Sequence, residues 1–141
     1  MPHIASSPRP APPPPTLPLL TQLTPAELAL LPLRQKQSRF VLMTAHLVAY
    51  AYGQGYELTQ GDGYRDPRVF GQIGERRGYG ESKSAHKQRL AVDYNLFIGG
   101  VYRTDTEAHS ALGEYWEMLG GAWGGRFDDG NHYSLEHEGV K

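Results

Sequence analysis

The stretch SAHKQRLAVDYNLF, residues 84–97, places His86 seven positions before Asp93 and ends in an alternating apolar strand. Seven residues span roughly 10 Å along a helix and about 23 Å along a strand, whereas a zinc ion needs each donor atom about 2.0–2.2 Å away. The two residues can therefore share a metal only if the chain doubles back between them, which the polar and basic segment 87–90 permits. The alternative is a surface histidine that makes an ordinary hydrogen bond to a strand aspartate.

The patterns around this stretch predict an α+β fold with a small, mostly antiparallel sheet and packed helices. The segment TPAELALL has the capping threonine, the first-turn proline and the glutamate of a helix start. Glycines end the next apolar helical pattern, and a loop rich in glycine and charge follows the first strand. The predicted elements are helices over residues 24–31, 34–55 and 106–119, strands over 56–60, 90–97 and in the tail after 122, and a long exposed loop over 66–83.

Composition limits the partners that the chain can have. Its 141 residues carry a formal net charge of -1, so no overall field attracts nucleic acid or an anionic membrane. The longest apolar run is too short to insert across a membrane. Cysteine is absent, so a bound metal needs histidine and carboxylate ligands. One folded domain is expected, and a monomer, because no long apolar helix face is left over.

The N-terminal segment MPHIASSPRPAPPPPTLPLL is rich in proline and low in complexity. Such a segment favours extended polyproline geometry and cannot bury a core. Residues 1–21 are therefore predicted to be a disordered leader, and residues 22–141 the folded domain. The prolines also interrupt the unbroken apolar run that a secretory signal needs, so the chain is expected to stay in the cytoplasm without an export route of its own.

A second set of candidate residues lies in FDDGNHYSLEH, residues 127–137. Catalytic zinc sites use three protein ligands and leave one position for water, so His132 could complete a set with His86 and Asp93. Asp129 lies three residues before His132, where a carboxylate could carry protons for that water. The alternative for Asp129 and the aspartate before it is simple turn chemistry, since Asp-Asp-Gly-Asn forms a turn readily.

Other polar residues have both a functional and a structural interpretation. Arg65, after the glycine turn, could make a bidentate hydrogen bond to a substrate carboxylate, or it could simply be solvated. Ser84 could donate to the substrate or cap the local turn. His137 is a rival ligand, but two histidines five apart on a strand point to opposite faces, so His137 and His132 are not expected to share an ion. The remaining histidines are assigned to the leader, or to packing and helix surfaces: His3, His46 and His109.

Together these motifs resemble one family of zinc peptidases. The pattern SxHxxxxAxD is met by Ser84, His86, Ala91 and Asp93, and a downstream DxxH by Asp129 and His132. Their order and spacing are similar to those of D-Ala-D-Ala carboxypeptidases, D-Ala-D-Ala dipeptidases and phage L-alanyl-D-glutamate endopeptidases. The wider stretches AYAYGQGYELTQGDGYRD and GEYWEMLGGAWGGRFDDGNHY resemble small single-domain phage endolysins, and the resemblance covers about residues 22–137.

The resemblance implies a role for each motif residue in a hedgehog/D,D-peptidase-like fold. Asp129 acts as general base toward the attacking water and then as acid toward the leaving amine. Arg65 and Ser84 contact the substrate. The zinc ligands are His86, Asp93 and His132. Position 129 holds aspartate where many carboxypeptidases and dipeptidases have glutamate, which is similar to the endolysin branch.

The resemblance also implies a substrate and a place of action. The enzyme would cut the L-Ala–D-Glu bond in the stem peptide of bacterial peptidoglycan. It would wait in the host cytoplasm until lysis and then reach the cell wall and periplasm. The alternatives are a D,D-carboxypeptidase or dipeptidase acting on D-Ala-D-Ala, and a non-catalytic zinc-containing binding module, since hedgehog signalling domains share the fold. A lysozyme-type glycosidase would leave both histidines idle.

Overall fold

The structure is a computed structural model that describes residues 6–13 and 16–141. Within these residues the helices are α1 (Pro25–Leu30), α2 (Leu33–Gly53), α3 (Pro67–Phe70) and α4 (Ser110–Met118), and the strands are β1 (Tyr56–Gln60), β2 (Ala91–Ile98), β3 (Val101–Arg103), β4 (Ala122–Trp123) and β5 (His132–Ser134). The predicted α+β class is confirmed. None of the helices in this part of the chain combines the length and the apolar character that a bilayer crossing requires.

Strand β2 is the centre of an antiparallel sheet, and different parts of it have different partners. Its last five residues pair with all of β1, and its last three residues also pair with β3. Its first three residues pair with β5, and β4 continues the sheet beyond β5. Residues 91–93 and 132–134 are distant in sequence but become neighbours through this pairing, which is what positions the site.

Helix α2 supplies one wall of the core. Its buried apolar residues repeat at helical spacing: Phe40, Met43, Leu47 and Ala51. The neighbouring Thr44 is only half-buried. The helix ends at Gly53, and Gly55 then adopts a φ of 81°, a conformation that glycine reaches without strain, to lead the chain into β1.

Two tryptophans attach the segment around β5 to the rest of the core. The indole N–H of Trp116, on α4, donates to the carbonyl of Ser134 at 2.8 Å. The indole N–H of Trp123, in β4, donates to the carbonyl of Gly130, also at 2.8 Å. Because both rings are buried, these bonds satisfy backbone groups that have no access to water.

Glycines provide the space that these two rings occupy. A Cβ atom at Gly113 or at Gly125 would overlap the indole ring of Trp123. A Cβ atom at Gly121 would overlap the indole ring of Trp116. The three glycines are therefore required by side-chain packing and not by an unusual backbone conformation.

The structure differs from the sequence prediction in short elements. The helix predicted over 106–119 begins as a 3-10 turn, Thr106–His109, capped by Asp105, whose carboxylate accepts from the amide of Ala108 at 3.0 Å. The long loop predicted over 66–83 contains α3. Strands β3 and β4 were not predicted, because two or three residues are too few to show alternation.

The predicted leader falls partly outside the described residues, and His3 lies among those that the structure does not describe. Residues 6–13 and 16–24 contain no helix or strand. The carbonyl of Pro18 nevertheless accepts a hydrogen bond from Nε2 of His46 at 2.7 Å, and that of Thr21 accepts one from Arg39 at 2.8 Å. The end of the predicted leader therefore contacts α2, and a boundary at residue 22 stays a prediction.

Replacing Leu96, which is fully buried at the centre of β2, should expose how much the core depends on this strand. We expect Leu96→Ala to lower the free energy of unfolding by about 2–5 kcal/mol, because the cavity it leaves cannot collapse completely. The control is Leu30→Ala at the exposed end of α1, which should change it by less than about 0.5 kcal/mol. Urea denaturation would measure both, and equal losses would contradict the assignment of the core.

Candidate metal centre

Three of the residues predicted as metal ligands meet where β2, β5 and the turn before β2 come together. Asp93 and His132 are directly opposite each other in the register of β2 and β5. His86 lies on a 3-10 turn, Ala85–Gln88. Arg89 then adopts a left-handed φ of 57° and turns the chain into β2. The reversal that a shared metal requires is therefore present between His86 and Asp93.

The donor atoms of the three side chains converge on a small volume. Nε2 of His86 lies 3.3 Å from Oδ1 of Asp93, and Nδ1 of His132 lies 3.2 Å from the same oxygen. One candidate ligand atom from each residue lies within 4.8 Å of the other two. Donors in a tetrahedral zinc site are roughly 3.4 Å apart, and two imidazoles with one carboxylate are ligand types that catalytic zinc uses. The site therefore fits a zinc ion.

Asp93 is held in its ionised form. Burial by itself would raise the pKa of Asp93, but hydrogen bonds from His132 and His86 outweigh it and lower this pKa to about 2. The backbone is fixed on both sides, since the amide of Asp93 donates to the carbonyl of Asp62 and its carbonyl accepts from Gly61, each at 2.8 Å. A carboxylate that is charged at neutral pH and rigidly placed is suited to binding a cation.

The two histidines are oriented in different ways. Nδ1 of His86 donates to the carbonyl of Gly63 at 2.8 Å, which fixes the ring with Nε2 directed toward Asp93. Nε2 of His132 is buried and has no hydrogen-bond partner among the protein atoms that the structure describes. The ring of His132 is instead held by packing against Phe127, with 5.9 Å between ring centroids.

Asp129 lies beside the three converging side chains but is not one of them. Its Oδ2 is 4.0 Å from Nδ1 of His132, and its side chain is 51% exposed. Partial burial raises the pKa of Asp129 above its usual value, although the nearby His132 opposes this. The preceding Asp128 adopts a left-handed φ of 60°, as turn aspartates do. The two alternatives thus separate: Asp128 forms the turn, and Asp129 adjoins the site.

Arg65 and Ser84, which were predicted to contact substrate, are joined by a hydrogen bond. Nη1 of the buried Arg65 donates to Oγ of Ser84 at 3.0 Å, and Nη2 donates to Asp62 at 3.1 Å. The hydroxyl oxygen of Ser84 also accepts from the amide of His86 at 3.2 Å, so Ser84 caps the turn that carries this histidine. Arg65 is therefore not solvated, and contact of either residue with substrate stays a prediction.

His137 and His109 make their side-chain contacts apart from the converging ligands. His137 Nδ1 is 3.0 Å from Nζ of Lys36, at the C-terminal end of the chain, so His137 is not a fourth ligand. His109 is buried, and its Nδ1 accepts from the hydroxyl of Tyr133 at 2.8 Å. Burial lowers the pKa of His109, which agrees with a neutral packing residue.

A polar cleft of about 160 Å³ opens next to Asp129. Residues of β2, β3 and the segment after β3 form its far side, among them Asn95, Tyr102, Arg103 and Thr106. Like this cleft, the larger cavities of about 400 Å³ beside α1 contain none of the three candidate ligands, but they also lack Asp129. The smaller cleft is therefore the one that could take part of a substrate bound at the site.

Comparison with protein families gives a match over part of the chain. A family model described as D-alanyl-D-alanine carboxypeptidase matches residues 77–135. This segment is less than half of the chain, yet it contains all three candidate ligands together with Ser84 and Asp129, and it omits Arg65. No curated protein and no solved structure gives a match. The match supports a zinc peptidase at the level of the family.

Gly63 and Gly124 position the site, and neither was identified from the sequence. Gly63 acts through its backbone carbonyl, which orients His86. A Cβ atom at Gly124 would overlap the carbonyl oxygen of Asp129 and press on the Cβ of His132. The only signal in the sequence is the pair of glycines shortly before the Asp-Asp turn.

Gly124→Ala should move the segment from Asp129 to His132 and weaken zinc binding by about tenfold or more, as other disturbances around metal ligands do. The control is Gly53→Ala, where a Cβ atom meets nothing within 4 Å. Competition with a chromophoric chelator would measure both affinities. Equal zinc affinity in the two variants would show that the contact at Gly124 does not shape the site.

Proposed function

We propose that this protein is a zinc-dependent peptidoglycan endopeptidase of the phage endolysin type, which hydrolyses the L-Ala–D-Glu bond of the stem peptide. One observation carries the peptidase part. Two imidazoles and a carboxylate converge beside a further, uncommitted carboxylate, all within the segment that matches the D-alanyl-D-alanine carboxypeptidase family model. The bond, the wall substrate and the lytic role rest on the sequence resemblance.

Each side chain of the site has a defined task in this reaction. His86, Asp93 and His132 would hold zinc, which when bound polarises the scissile carbonyl and lowers the pKa of a water. Asp129 accepts a proton from the attacking water and then donates it to the leaving amine. Its place beside His132, outside the set of ligands, supports this role, because both of its oxygens stay free to accept and donate a proton.

The surroundings of the site favour a substrate that continues on both sides of the cleaved bond. The side chain of Asp129 and the residue Phe127 are each 51% exposed, so the site is open to solvent on the side of these two residues. A closed pocket would suit a dipeptide or a chain end better. The family description, in turn, favours cleavage at D-Ala-D-Ala, and the D,D-carboxypeptidase or dipeptidase reading is therefore the second candidate.

The setting of this activity is part of the same proposal. The protein would act as a monomer, with the peptidoglycan stem peptide as its partner and with neither nucleic acid nor an inserted membrane segment involved. It would remain in the host cytoplasm until lysis and then act in the cell wall and periplasm. The near-neutral charge supports the absence of a polyanionic partner.

Digestion of purified peptidoglycan, with and without chelator, tests the reaction. We expect new amino groups and stem peptides released at the L-Ala–D-Glu bond, identified by mass spectrometry, and loss of both when chelator removes the metal. Release of terminal D-Ala alone would show that the protein is a carboxypeptidase instead. Bound zinc without cleavage of any wall would favour a binding module, and reducing sugars formed in the presence of chelator would indicate a glycosidase.

Asp129→Asn tests the proton carrier separately from the metal. We expect kcat to fall by about 10²–10⁴, because the amide cannot exchange the proton, while zinc affinity stays near that of the wild type. Asp128→Asn is the matched control, since asparagine also tolerates the left-handed conformation there, and it should retain most activity. Equal activity of the two variants would remove Asp129 from the mechanism.

A further inference from the structure

The buried Lys87 and the loop of residues 71–83, here called the site loop, form one unit next to a candidate ligand. We propose that Lys87 is a positioning residue: its ammonium fixes the site loop against the turn that carries His86 and so shapes the substrate side of the site. In the sequence, Lys87 is recognisable only as part of a polar and basic turn. The catalytic consequence rests on the proposed peptidase function, whereas the effect on the loop does not.

The ammonium of Lys87 is bonded to the backbone of the site loop alone. It donates to the carbonyl oxygens of Gln72 at 3.3 Å, of Ser82 at 3.2 Å and of Glu75. An ammonium has three N–H donors, so all of them are used. Only 6% of Lys87 is exposed, and no ion pair in the described part of the chain includes it.

The site loop depends on this centre because it has little structure of its own. It contains no helix or strand, and residues 72–79 are exposed. Its backbone bonds include Gly74 to Ser82 at 2.7 Å and Arg77 to Phe70 at 2.9 Å. Hydrogen bonds from a charged donor are stronger than these neutral ones. Lys87 therefore does for the loop what a bound cation does in other loops.

The far end of the site loop packs on Arg65. A Cβ atom at Gly80 would overlap the guanidinium of Arg65, and the ring of Tyr79 lies with its centroid 5.3 Å from Cζ of this arginine. Arg65 in turn donates to Ser84, whose oxygen caps the amide of His86. The loop is thus held from two directions by residues that both connect to the turn bearing His86.

Loss of the ammonium should release the loop without disturbing the sheet. The three carbonyl groups would lose their hydrogen-bond donor, and Tyr79 and Gly80 would lose their packing against Arg65. Arg65 is one of the two residues, with Ser84, that the sequence resemblance assigns to substrate contact. Substrate binding should therefore weaken more than the chemical step, while the candidate ligands stay in place on β2 and β5.

Hydrogen exchange read by mass spectrometry tests the loop directly, on the full zinc-loaded chain. In Lys87→Met we expect the hydrogen-bonded amides of the loop, those of Gly74, Glu75 and Arg77, to exchange roughly tenfold to hundredfold faster, with those of β2 unchanged. Lys83→Met is the matched control, because Lys83 is exposed in the same loop and the same charge is lost. Equal loop exchange in the two variants, or equally faster exchange in β2, would overturn the proposal.

Steady-state kinetics on a soluble stem peptide tests the catalytic consequence. We expect KM to rise about tenfold in Lys87→Met with kcat changed less than about threefold, and neither to change in Lys83→Met. A fall in kcat at unchanged KM would overturn the positioning role. If Lys87→Met does not fold, Lys87→Gln, which keeps part of the stem and an N–H donor, is measured by the same two criteria. No cleavage by the wild type would count against the proposed function alone.

Discussion

The pairing of Asp93 with His132 across β2 and β5 is the constraint on which the rest of the site depends. A slip of one residue in this register would turn one of the two side chains to the opposite face of the sheet. Both imidazole rings contact the same oxygen of Asp93, so the register also determines where the ring of His86 must lie. The hydrogen bond from the indole of Trp123 to the carbonyl of Gly130 fixes the chain just before β5 and so supports the same register.

The sequence predicted the parts of the site that are encoded locally. His86 lies close to Asp93 in sequence, and Asp129 lies close to His132. Histidine and aspartate at such short spacing indicate metal binding or proton transfer. The fold class and the longer elements followed from periodicity. What brings the two pairs together is a long-range strand pairing, which no local pattern contains. The role of Gly63 could not be predicted from the sequence either, because every residue type has the backbone carbonyl through which it acts.

The charged residues near the site show a second limit of sequence interpretation. A lysine or arginine in a glycine-rich, polar stretch is usually solvated, and that was one of the two interpretations given to Arg65. Here Arg65 and Lys87 are both buried, and the partners of Lys87 are carbonyl groups that any residue could supply. The long loop, which the sequence marks only as irregular, is thus organised from inside by cations that belong to neighbouring segments.

The fit between the tryptophan rings and the glycines around them also has a consequence for how this chain can diverge. The volume at Trp123 is shared with positions 113 and 125, so a side chain at either glycine becomes possible only after the indole has been replaced by something smaller. That replacement removes the hydrogen bond to Gly130, which directly follows Asp129 beside the candidate metal ligands. Changes at these positions should therefore be inherited together or not at all, and the residues least free to vary independently include some that never touch a substrate.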